Sequence, residues 1–129
     1  MPVVALVVDD SMVIRHTICR FLEDRGFAVE SASNGIEALE VLARARPGLV
    51  ITDMQMPAMS GTELITALKS NPETSGIPIV IVTGRSRGFD RNETRAQFTI
   101  FKDIDIQEQL EKALIALGGG ATKGQASGT

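Results

Sequence analysis

Four short apolar runs end on residues that can do chemistry. VVALVV is closed by the acidic pair Asp9-Asp10, and LVIT is closed by Asp53. IPIVIVT ends on Thr83, and TIF is followed by Lys102. Carboxylates gathered at one place repel one another, so a cation must compensate or a pKa must rise. Lys102 supplies one positive charge, too little for three acids. A hard divalent ion suits carboxylate, carbonyl and water oxygens, which points to Mg2+, with Mn2+ as a substitute. A metal and an ammonium together screen the oxygens of a phosphoryl group while a carboxylate attacks in line. Aspartate as the nucleophile gives an acyl phosphate. Asp53 is the candidate acceptor, and the Thr83 hydroxyl can donate to a phosphoryl oxygen.

These residues are useful only if the chain folds them together. Val3 to Val8 is a β-branched run of buried-strand type. Ser11 caps a helix from about Met12 to Arg25, with Val13, Ile14, Ile18, Phe21 and Leu22 at helical spacing, and Gly26 stops it. Phe27 to Ala32 reads as a second strand. Asn34-Gly35 opens a helix that ends before Pro47. Leu49 to Thr52 is a third strand, and Ser60 with Glu63 forms a capping box for a helix ending at Asn71-Pro72. Ile77 to Thr83 is a fourth strand and Thr99 to Phe101 a short fifth. Asp105 and Glu108 start a last helix that runs to Leu117.

A β-α alternation of this kind predicts an α/β fold with a doubly wound five-stranded parallel sheet, order 2-1-3-4-5, flavodoxin-like. Such folds bind ligands at the carboxyl ends of the strands, near the switch point between β-α halves. Asp9, Asp10, Asp53, Thr83 and Lys102 all fall there. One segment breaks the rhythm. Between Thr83 and Thr99 a fourth helix is due, yet GRSRGFDRNETRAQF offers only Phe89 and Phe98 as large apolar residues. A short, irregular or mobile helix near 90–97 is expected. Residues 1–118 make the domain, and 119–129, GGATKGQASGT, small and polar, are expected as a flexible tail.

Composition removes several classes of function. The chain has 129 residues, enough for one domain with a core of its own. Its single cysteine, Cys19, excludes an internal disulfide and a cysteine-based metal cluster and suits a reducing compartment. The net charge of −3 and the absence of Trp and Tyr argue against direct nucleic-acid binding. The first apolar run is too short for a signal core or a membrane span, so a cytoplasmic location is expected.

The set Asp9-Asp10, Asp53 within DMQMPAMSG, Thr83 after IVIV and Lys102 after TIF resembles a response regulator receiver (CheY-like) domain of bacterial two-component signalling. The resemblance covers about residues 3 to 117. It implies that Asp53 is phosphorylated by a histidine kinase or phosphotransfer protein. It implies that Asp10, Asp53 and the Gln55 main-chain carbonyl bind Mg2+, with Asp9 helping through water. Thr83 and Lys102 would contact the phosphoryl group, Pro57 and Gly61 would shape the loop after Asp53, and Gln55 and Arg85 would tune the phosphate lifetime. The output would be a changed surface around the fourth helix, fifth strand and last helix, read by a downstream protein.

The sequence also departs from the family pattern. Asp103 follows the lysine where proline is usual, Gly84 follows the threonine where alanine is usual, and Thr99 stands at the switch position where Tyr or Phe is usual. Phe101 shares a strand face with Thr99 and is the candidate substitute. These departures leave an alternative, an interaction module of the same fold that works without phosphorylation. A phosphatase of haloacid dehalogenase type is disfavoured, because it needs a second acid two residues after the nucleophile. Gln55, Ser11 and Met12 stand at those places. Met54, Met56 and Met59 read as packing, Cys19 as a small core residue and His16 as a surface residue. The arginines at 85 to 95 read as a solvated face, with a docking patch for an acidic partner as the other reading.

Overall fold

Three runs rich in Val, Ile and Leu and two mixed segments, AVESA and FTIF, form five parallel strands in one sheet, in the order β2-β1-β3-β4-β5. They are β1 (Val4–Val8), β2 (Ala28–Ala32), β3 (Leu49–Asp53), β4 (Ile79–Thr83) and β5 (Phe98–Phe101). Between and after them lie α1 (Met12–Asp24), α2 (Gly35–Arg44), α3 (Gly61–Ser70) and α4 (Ile106–Ala116). The computed structural model describes residues 3–56, 58–84, 95–102 and 105–117. The expected fourth helix falls largely outside the described residues, as do Arg85, Asp103, Pro57 and the tail at 119–129.

Strand residues alternate between two cores, as the two-residue period requires. Ala5, Val7, Leu49, Ile51, Val80, Val82 and Ile100 face α1 and α4, where they meet Ile18, Leu22, Leu110 and Leu114. Leu6, Val8, Val50, Ile79 and Ile81 face α2 and α3, where they meet Ala38, Leu42, Leu64 and Leu68. A sheet covered on both faces explains why these strands read as unbroken apolar runs. Met54 is buried in the second core, and Met56 and Met59 pack against it. Cys19 packs against the first core, while His16 is exposed. Among the described residues no helix is long and apolar enough to cross a membrane.

The helix ends follow the sequence signals closely. Ser11 and Ser60 accept from the N–H groups of Ile14 and Glu63, and Ser60 with Glu63 completes a capping box. Gly26, at φ 90°, ends α1, with Gly26 N–H donating to Glu23 O and Phe27 N–H to Leu22 O. The fourth strand starts two residues later than its apolar run. Pro78 has no N–H to give, and Ile77 N–H donates into the preceding turn, to Thr74 O. β5 is fastened by a side chain before it begins. Gln97 N–H donates to Ile79 O and Gln97 Oε1 accepts from Ile79 N–H, both at 2.8 Å.

Candidate functional site

The sheet register sets the site. Val8 lies beside Thr52, Asp53 beside Val82, and Thr83 beside Phe101. Asp9, Asp53, Thr83 and Lys102 therefore emerge together at the carboxyl edge, next to the β1–β3 switch point. By the same period Asp9, Asp53 and Lys102 follow Val7, Ile51 and Ile100 toward the α1/α4 side. Asp10, Ser11, Asp53, Gln55, Thr83, Gly84 and Lys102 line one cleft of about 210 Å³.

Asp9 is buried and held from several directions. Its Oδ1 accepts from Ser11 N–H at 2.8 Å, and its carbonyl accepts from Arg15 Nη1 at 2.7 Å. Asp53, last in β3, is only 4% exposed. Its Oδ1 accepts from Gln55 N–H at 3.3 Å. The Lys102 ammonium bridges the two acids, 3.2 Å from Asp9 Oδ2 and 3.1 Å from Asp53 Oδ2. The lysine is anchored in turn by its N–H, which donates to Thr83 O at 2.9 Å. Asp10 stands exposed at the lip.

The loop after Asp53 is drawn tight. Gly61 N–H donates to Met54 O at 3.0 Å. A Cβ on Gly61 would stand 2.7 Å from Met54 Cα, so only glycine lets α3 start this close to the strand end. Ala58 takes φ 70°, a left-handed conformation that costs a side-chain-bearing residue about 1 kcal/mol.

The electrostatics of this cluster are unbalanced. Burial pushes the Asp9 carboxyl above its ordinary value and the Asp53 charge adds to it, against the opposing Ser11 N–H and Lys102. Burial likewise raises Asp53, opposed by Lys102 and the Gln55 N–H and reinforced by Asp10. For Lys102, burial alone would lower the ammonium's pKa, but Asp9 and Asp53 outweigh it and the net shift is upward. One ammonium does not satisfy three acids.

The donor set suits a hard cation. One oxygen from each of Asp9, Asp10 and Asp53 falls within a 4.8 Å cluster. Asp9 Oδ2 is buried without a hydrogen bond; Lys102 Nζ stands 3.2 Å from it as an ion pair and donates to Asp9 Oδ1 at 3.4 Å. A buried oxygen left in that state costs stability, and a cation or its water is the kind of partner that would answer it.

The structure thus brings together Asp9, Asp10, Asp53, Thr83, Lys102 and Gln55. Thr99 and Phe101, both half-buried on β5, do not line the cleft, although Phe101 lies beside Thr83 and directly before Lys102. Sequence reasoning missed Arg15, which holds the Asp9 backbone, and Gln109, which holds that of Phe101. Both act from a helix on main-chain atoms at the end of the preceding strand, six and eight residues away, and hydrophobic periodicity gives no signal for such contacts.

Comparison with known proteins agrees with this fold. The family model described as the response regulator receiver domain matches residues 5–114. The response regulator MprA of Mycobacterium sp. (strain KMS) is 38% identical over 91 residues, 70% of this chain and 39% of MprA. The chain therefore spans well under half the length of the curated relatives it matches. The chemotaxis response regulator CheY4 of Vibrio cholerae has a TM-score of 0.79 at 30% identity, covering 91% of this chain and 99% of that one. The receiver domain of the sensor histidine kinase PA1611 from Pseudomonas aeruginosa PAO1, solved with a magnesium ion coordinated in the active site cleft, has a TM-score of 0.79. It covers 92% of this chain and 99% of its own, and at 20% identity it bears on the fold alone.

Proposed function

The chain belongs to the response regulator receiver domain family of two-component signalling, and on that premise we propose that Asp53 is its phosphoacceptor. A single observation carries the proposal. Asp53 lies buried at a strand end with Lys102 Nζ at 3.1 Å, in a cluster whose other acids are Asp9 and Asp10. An Asp53 carboxylate oxygen attacks phosphorus. The bond from phosphorus to the donor atom breaks, and the leaving group departs with the electron pair. Lys102 draws negative charge on the phosphoryl oxygens, and the Thr83 hydroxyl donates to one of them. Asp10, Asp53 and the Gln55 main-chain carbonyl would hold Mg2+ or Mn2+, with Asp9 acting through water. The ion when bound supplies charge screening for the transferred group.

The donor is a histidine kinase or a phosphotransfer protein. The product changes the surface formed by the segment before β5, β5 and α4, and a downstream protein reads it. Gln55 and Arg85, each two residues past a site residue, set how fast water removes the phosphate. The chain makes and loses its own aspartyl phosphate and turns over no other substrate. Its place is the cytoplasm. Incubation with a small phosphodonor and Mg2+ tests the assignment. Wild type takes up label and Asp53→Ala takes up none; full labelling of the variant would sink it.

Thr99 favours a second reading, a module whose binding ignores phosphorylation, because no aromatic stands at that position to report the site. Partner affinity measured with and without phosphate separates the two. An unchanged affinity supports the second reading.

A further inference from the structure

β5 is an edge strand, and an edge leaves alternate N–H and C=O groups without a neighbour. The N–H of Lys102 points inward, to Thr83 O on β4. The N–H and C=O of Phe101 are both taken by one side chain from α4. Gln109 Oε1 accepts from Phe101 N–H at 3.0 Å, and Gln109 Nε2 donates to Phe101 O at 2.9 Å. The same Nε2 donates to Asp105 O, the N-cap of α4, at 3.2 Å. The amide of Gln109 thus does for one residue what a neighbouring strand would do for a whole edge.

The clamped residue is the one immediately before the lysine. A lysine stem has many rotamers and carries its charge as a point at the end. Its aim depends on where its root is fixed. Here the root is fixed on both sides, by Thr83 O on its own N–H and by Gln109 on the preceding residue. The ammonium then reaches Asp53 at 3.1 Å and Asp9 at 3.2 Å. Gln109 itself is steadied by α4, where its N–H donates to Asp105 O and its neighbour Leu110 is buried in the core.

We infer that Gln109 is a positioning residue, which fixes the Phe101 main chain and so places the Lys102 ammonium on Asp53. The inference rests on the proposed phosphoryl role of Lys102, and the test separates the two. Gln109→Met keeps the length and the helix propensity of the side chain and loses all of its amide bonds. Gln109→Glu keeps an acceptor for Phe101 N–H and loses the donor. Initial rates of Mg2+-dependent labelling by acetyl phosphate are measured for each, alone and combined with Lys102→Met. Hydrogen exchange at the Phe101 amide is followed in parallel.

The expected result is a labelling rate lower by on the order of tenfold for Gln109→Met, as for other small misplacements of a reacting group. Gln109→Glu falls between it and wild type. The Phe101 amide exchanges faster, and Gln109→Met has no further effect in the Lys102→Met background. An equal slowing in both backgrounds would make Gln109 a general stabiliser and overturn the inference. So would an unchanged rate beside a slow Lys102→Met, or unchanged Phe101 exchange. Wild-type labelling by Lys102→Met alone would remove the role of the lysine and the inference with it.

Discussion

Asp53 and Asp9 share a property that decides how the site behaves without a cation. Burial holds both carboxyls above the ordinary value of 3.8, so the folded state binds protons that the unfolded chain has released. Stability contributed by these two groups therefore falls as pH rises through the window above 3.8. Lys102 changes stability in the same direction but in a higher pH window. Its raised value gives stability that is complete below 10.5 and is lost as pH climbs through the folded value. Replacing Asp53 by Asn should raise the urea midpoint at neutral pH without divalent ions, and the gain should shrink in acid. Added Mg2+ should raise the midpoint of wild type more than that of Asp53→Asn. Ala58 is a simpler case. Ala58→Gly relieves a left-handed conformation, but glycine's extra unfolded-state entropy offsets about 0.4–1 kcal/mol of that relief, so the net gain in equilibrium unfolding should be no more than about 0.5 kcal/mol.

The elements succeed because local signals and packing agree. Ser60 and Glu63 start α3 with a capping box, and Ser60→Ala should cost about 1 kcal/mol in the same unfolding assay. Gly61 carries more. A methyl group there would press on the Met54 main chain, one residue past Asp53. Gly61→Ala should cost roughly 1–3 kcal/mol and slow labelling as well, since the strand end and the helix start cannot both keep their places. Most of this was legible in the sequence. The strand ends that carry Asp9, Asp53, Thr83 and Lys102 were readable because buried strands are continuous apolar runs. Ser11, Gly26 and Ser60 marked helix ends by their backbone chemistry. The start of β4 was misread by two residues, because Ile77 is buried like a strand residue yet bonds within a turn. Gln97 and Gln109 were not readable. Their amides replace strand partners through contacts that tertiary folding creates, and a lone glutamine has no pattern to betray that.

At the scale of the whole molecule, one sheet joins two cores and one reactive edge. α1 and α4 pack on the face toward which Asp9, Asp53 and Lys102 project, and α2 and α3 pack on the other. Arg25 and Glu111 tie α1 to α4 at the surface, and Arg25 also lies over the Phe21 ring at 3.8 Å. An exposed pair of this kind contributes little stability. The proximity of α4 to the site comes instead from Gln109 and from Leu110 in the core. A change at Lys102 therefore has a short path to α4 through the Phe101 main chain. The central claim concerns one oxygen nucleophile. It is tested most directly by treating the wild-type chain with acetyl phosphate and Mg2+, reducing the acyl phosphate with borohydride, and locating the resulting homoserine by peptide mass spectrometry. The account predicts homoserine at position 53, in a yield that collapses when EDTA replaces Mg2+. Homoserine at position 9 or 10, or none at 53 under labelling conditions, would contradict it.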